Sequence, residues 1–129
     1  VLLSAPQETF AMSNVAPESF ARTPRPPYYI VAFSSIRKEG DHGYSTMADA
    51  MEALAKTQAG YLGLEHARRE DGFGITNSFW ADEAALLNWK AQVQHLYAQK
   101  MGIERWYLHY ELRIAKVERA YSGPEGRSV

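Results

Sequence analysis

The stretch Gly74–Tyr97, GITNSFWADEAALLNWKAQVQHLY, constrains the fold more than any other. Its first half alternates like a strand and ends at Trp80. Ala81–Asp82 form a tight turn, and Asp82 is a helix cap. The second half has helical spacing, with Leu86, Trp89, Val93 and either Leu96 or Tyr97 on one stripe. A strand that ends in an indole and feeds directly into a helix makes one wall of a pocket, and the rest of the chain must supply its packing partners.

The other elements follow from local signals. Tyr28–Arg37 is rich in aromatic and β-branched residues and reads as a central strand covered on both sides. Lys38–Gly43 is a turn cluster. Tyr44–Ala59 is a helix whose buried stripe is Tyr44, Met47, Ala48, Met51, Leu54, Ala55 and Gln58. Asp41 or Ser45 caps its start, and Gly60 sits where a left-handed glycine ends a helix. Tyr61–Arg69 and Phe73–Trp80 form a hairpin about Glu70-Asp71-Gly72, Asp-Gly being a strong hairpin signal. The second helix runs from about Glu83 to Lys100, with Gly102 ending it, and Ile103–Arg105 lead into a long strand, Trp106–Tyr121. Trp106, Leu108, Tyr110, Leu112 and Ile114 share one parity of that strand and Tyr107, His109, Glu111, Arg113 and Ala115 the other.

The order is thus strand, helix, strand, strand, helix, strand: an α+β, ferredoxin-like βαββαβ fold with an antiparallel sheet. Helices cover one face of such a sheet. The other face here is partly apolar, and a second copy is its simplest cover, so a homodimer is expected. The length of the last strand suggests that it reaches across to that partner. Residues 28–121 make the domain. Residues 1–27, with Pro6, Pro17, Pro24, Pro26 and Pro27, form a proline-rich extension anchored by Phe10 and Phe20, and residues 122–129 a polar tail.

Composition narrows the function. At 129 residues and 46% apolar the chain holds one globular domain. Its net charge of −1, with acids and bases interspersed, gives no nucleic-acid surface. The pair Arg68–Arg69 reads as a solvated strand end. Without cysteine, disulfides and thiolate metal sites are excluded. The four histidines, His42, His66, His95 and His109, lack metal-ligand spacing. No segment is long and apolar enough for a membrane span, Val1-Leu2-Leu3 is too short for a signal-peptide core, and a cytoplasmic location is expected. Neither a metal nor a cofactor is expected from these motifs.

Several segments together resemble the antibiotic biosynthesis monooxygenase-like family, and more narrowly its small bacterial branch. They are Pro26-Pro27-Tyr28-Tyr29, Trp80-Ala81-Asp82-Glu83-Ala84, Trp89-Lys90 with His95, Glu104-Arg105-Trp106-Tyr107, and Val117-Glu118-Arg119-Ala120-Tyr121. The resemblance covers about Phe20 to Tyr121. It implies a dimeric α/β barrel in which each protomer keeps a pocket between sheet and helices. Characterised members include cofactor-independent monooxygenases acting on aromatic polyketides, and haem-degrading enzymes. Trp80 matches the tryptophan that often ends the third strand. Trp89 stands where the family frequently has a histidine or an aromatic, and His95 falls near a histidine region of that helix. The haem-degrading branch has an asparagine on the first strand. Here that strand offers Ala32, Phe33, Ser34 and Ser35, which counts against haem cleavage and leaves haem or another flat molecule as cargo.

These readings give a candidate site. His95 is the candidate acid–base group, since histidine is the side-chain type that exchanges protons near neutral pH. An electron-rich aromatic anion can pass an electron to oxygen without metal or flavin, so one base is the minimum equipment for the reaction. Trp80 would stack a small aromatic or quinol-like substrate. Trp89, Tyr44, Tyr110 and Trp106 would line the pocket, Asn77 with Ser78 would donate to a substrate oxygen, and Arg105 and Arg113 would pair a carboxylate. The plainer alternatives are core or interface packing for the aromatics, an exposed helix position for His95, and, for Arg113, balance against Glu111 or Glu65. Three functions remain: a monooxygenase, a binding protein for a planar ligand, and a structural or regulatory dimer.

Overall fold

The structure, a computed structural model, describes residues 19–99 and 105–124, with side chains to His95 and from Arg105. Expectations placed on Pro6, Phe10, Pro17, Leu96, Tyr97, Gly102 and the Ile103–Glu104 link lie outside that range. Six elements follow one another: β1 (Tyr28–Arg37), α1 (Tyr44–Lys56), β2 (Tyr61–Arg68), β3 (Phe73–Trp80), α2 (Glu83–Gln99) and β4 (Tyr107–Val117). The strands form one antiparallel sheet in the order β2-β3-β1-β4. This is the βαββαβ ferredoxin-like fold expected from the pattern.

Local chemistry sets the boundaries. At the start of α1, Gly43 takes a left-handed conformation. Asp41 accepts the backbone N–H groups of Gly43 and Ser45, each at 3.2 Å. The helix closes at Lys56, three residues before the expected Ala59. Left-handed Gly60 instead opens β2, where an added Cβ would meet Ala85 Cβ of α2 at 2.5 Å. Asp82 accepts the Ala85 N–H at 2.8 Å and caps α2. The β2–β3 turn closes through Arg69 N–H to Phe73 O, 2.8 Å, and Gly72 N–H to Arg69 O, 3.0 Å.

The last strand differs from its expected form in length and phase. It ends at Val117, not Tyr121. Its register against β1 also slips, Ile36 facing His109 and Arg37 facing Tyr107. Leu108 is the extra residue of this bulge and lies 68% exposed. The slip puts Tyr107 on the same face as Tyr110, and their rings come within 6.4 Å. The apolar parity of the sequence therefore holds from Tyr110 onward but not at Leu108.

Register sorts the side chains into rows across the helix-bearing face. Tyr61, Trp80, Tyr29 and Lys116 form one row; Leu64, Ser78, Val31 and Ile114 the next. Then come His66, Thr76, Phe33 and Leu112, and finally Arg68, Gly74, Ser35 and Tyr110. The core is divided along this axis. At one end Val31, Trp80 and Leu86 are buried with Tyr29, Tyr61, Ala85 and Trp89 around them. At the other, Met47, Trp106 and Tyr107 are buried with Phe33, Tyr44 and Met51. At its start β1 is covered on both sides, as expected, with Tyr28 and Phe79 buried on the helix-free face; toward its end only the helix-bearing side is covered. On the opposite face Ile36 and Ile75 remain 37% and 41% exposed, with neither helix there. Of the N-terminal extension, Ala21 is held against β2, its N–H donating to Glu65 Oε2 at 3.0 Å, while Phe20 is exposed.

Candidate functional site

A cavity of about 800 Å³ lies between the sheet and the two helices and draws its lining from both core clusters. Its volume falls in the ~300–1,000 Å³ range of small-molecule sites. From α1 come Tyr44, Met47 and Met51, from α2 Trp89 and Lys90, and from β4 Tyr107, Tyr110 and Leu112. Tyr110, Leu112 and Ile114 are cavity-lining yet 41–42% exposed, because β4 is a sheet edge. The cavity thus opens along that strand.

Trp80 does not reach the cavity. It is 0% exposed, its Nε1 donates to Ser78 Oγ at 2.9 Å, and its face is taken by Trp89 at 5.5 Å and 24°. Tyr61 meets it edge-on at 5.5 Å. The expected stacking indole is therefore the floor on which Trp89 rests, and Trp89 is the indole that lines the cavity. Trp106 also lines it, fixed by a bond from its Nε1 to the His42 carbonyl, 2.9 Å. Tyr44 stands beside it with the Arg37 guanidinium 3.4 Å from its ring centre.

The remaining expected residues lie elsewhere. His95 is exposed on α2 and is not among the lining residues, which on that helix include Trp89, Lys90, Val93 and Gln94. Helical spacing turns position 95 away from the Leu86–Trp89–Val93 stripe. Asn77 has the opposite parity to Thr76 and Ser78, pairs with Ala32 and Glu65, and sits on the helix-free face. Arg105 is exposed ahead of β4 and outside the lining. Among the described residues Arg113 makes no ion pair; Glu111 bonds His109 at 2.7 Å and Glu65 accepts the Ala21 N–H.

Of the expected polar pair, Ser78 does line the cavity. The alternation of β2 and β3 adds polar groups that were not assigned to it from sequence: His66 and Arg68 follow Leu64 in phase, and Thr76 precedes Ser78 and Trp80 in phase. That period of two was the available signal: Asn77 and Ser78 cannot share a face of a regular strand. Among the described residues no group of three or more His, Cys, Asp or Glu could hold a metal ion. None of the described helices is long and apolar enough to cross a membrane.

The chain belongs to one family with the uncharacterised protein YqjZ of Bacillus subtilis, and its fold is that of the antibiotic biosynthesis monooxygenase-like dimeric α/β barrel proteins. No family model matches it. Its identity to YqjZ is 44% over 99 residues, covering 77% of this chain and 87% of YqjZ. Its fold is similar to that of SnoaB, a cofactor-independent oxygenase from Streptomyces nogalater, at a TM-score of 0.61 and 12% identity, covering 74% of this chain and 97% of SnoaB. PA3566 of Pseudomonas aeruginosa has a TM-score of 0.56 at 16% identity, covering 76% and 99% of the two chains.

Proposed function

We propose that the chain is a cofactor-independent monooxygenase acting on a small, electron-rich aromatic such as a naphthol or quinol. The observation that carries this reading is the aromatic- and methionine-walled cavity of about 800 Å³, on a fold shared with a cofactor-independent oxygenase. Trp89, Tyr44 and Trp106 would hold the ring, as expected from the sequence. The acid–base role assigned to His95 passes to His66, which is also exposed but is the one histidine among the described residues that line the cavity.

The chemistry asks little of the protein. His66 takes the phenolic proton, and the resulting phenolate gives one electron to oxygen. Phenoxyl radical and superoxide join at a ring carbon that bears hydrogen, and the imidazolium protonates the peroxide. His66 then removes the C–H proton as the O–O bond breaks, and the departing hydroxide takes that proton as water. One oxygen atom stays as the new carbonyl and no external reductant is consumed. Aromatic walls favour this sequence by holding the ring in place for attack.

The helix-free face, with Ile36 and Ile75 exposed, suits a second copy of the chain, and a homodimer is part of this reading. Oxygen uptake with a panel of naphthols and hydroquinones tests the activity. Wild type should consume oxygen above the protein-free rate, and His66→Ala should lose roughly 100-fold or more of that rate, the usual scale of general base catalysis. Uptake by His66→Ala equal to wild type would remove the imidazole from the mechanism. Binding without uptake would favour a planar-ligand carrier.

A further inference from the structure

The cavity is graded along its strands. Its closed end is Trp80 under Trp89. Its other end is the row Arg68, Gly74, Ser35 and Tyr110. There Arg68, from edge strand β2, lies across β3 and reaches β1. It can do so because Gly74 carries no side chain: a Cβ at that position would sit 2.7 Å from the Arg68 Cζ. The guanidinium donates to Ser35 Oγ at 3.1 Å, to the Gly72 carbonyl at 2.6 Å and to Tyr44 Oη at 3.5 Å. Ser35 is 2% exposed, the buried polar residue of the sheet. Arg68 is exposed, as expected of a strand end, yet its guanidinium is held over the sheet by Ser35, at the edge of the cavity.

No carboxylate of the described residues lies within ion-pair distance of Arg68. Of the acids lining the cavity from α1, Glu52 pairs with Lys56 at 3.5 Å, and Asp49 makes no ion pair to it. Among the described residues, its Nε–H and one Nη1–H have no protein acceptor. A fixed guanidinium with free donors, beside two phenols and at the far end of an apolar cavity, matches an aromatic molecule carrying a carboxylate at one edge.

We propose that Arg68 is the substrate-recognition residue for a carboxylate borne by the aromatic ring system, so that the substrate class is aromatic carboxylates. This rests on the cavity being the aromatic-binding site. Calorimetric titration at neutral pH and low salt, with naphthalene β-carboxylate against its neutral β-carboxamide, tests it. Wild type should bind the carboxylate ~10-fold or more tighter than the amide, the scale of a charge-assisted hydrogen bond. Arg68→Gln should weaken the carboxylate by about tenfold more than the amide, and Arg68→Lys should keep part of the difference. The wild-type preference should also shrink as salt rises, a readout that needs no variant. Equal wild-type binding of the two probes, or a preference unchanged in Arg68→Gln or by salt, overturns the proposal and leaves the aromatic site standing. Binding of neither probe overturns both.

Discussion

At the scale of single residues, Trp80 and Trp89 divide one role between them. The first is sealed in the core and bonded to Ser78; the second stacks on it and faces the cavity. Truncating Trp80 removes an aromatic wall that the structure cannot refill by collapse. Trp80→Ala should therefore cost about 3–5 kcal/mol in urea unfolding. A loss near zero would mean that the Trp80–Trp89 stack is not part of the core. Aromatic identity was readable from sequence, and so was the placement of Trp89, Tyr44 and Trp106 on the lining. Which indole would face the ligand was not, because a strand's end residue and a helix residue a turn or two on compete for the same space.

Elements explain the other difference. Strand β1, strand β3 and the start of both helices were legible to the residue, since turns and caps are written in local chemistry: Asp82 for α2, Asp41 for α1, Asp71–Gly72 for the hairpin. The bulge at Leu108 was not legible, because nothing in the strand's own alternation marks it; it is a property of the pairing with Arg37 and Ile36. Likewise the inward turn of Arg68 depends on an absent side chain at Gly74, one strand away. The α1 cap makes its own prediction. Hydrogen bonds from Ser45, its side chain first, hold the Asp41 carboxyl below its usual range, with Arg37 adding to the shift. A carboxyl lowered by folding lends stability that is complete above its unfolded value and lost as pH falls through the folded one. Asp41→Ala should lower Tm at neutral pH, and the gap from wild type should close below about pH 4. A gap independent of pH would show that the charge of Asp41 contributes nothing to the cap.

For the whole molecule, the asymmetry of the sheet is decisive. One face carries both helices and the cavity, and the other leaves Ile36 and Ile75 open to water. In the proposed homodimer that face is buried, so Ile75→Glu should convert the dimer to a monomer in analytical ultracentrifugation, with cavity binding retained. A wild-type monomer at micromolar concentration would contradict the dimer. The βαββαβ order and the existence of a hollow under the helices were both accessible from the hydrophobic pattern and the family resemblance. His66 and Arg68 of that hollow were missed because they come from the end of strand β2, whose edge position and polarity are those of a solvated surface.

The account depends most on the cavity being where an aromatic substrate meets oxygen. Ala48, on α1, lines that space, and Ala48→Trp would put an indole into it while leaving Trp80 and His66 unsubstituted. Oxygen uptake with an electron-rich naphthol bearing a carboxylate measures the outcome directly. The account predicts uptake above the protein-free rate for wild type and its loss in a folded Ala48→Trp protein. Uptake undiminished in the filled variant, or no faster with wild type than without protein, would contradict it.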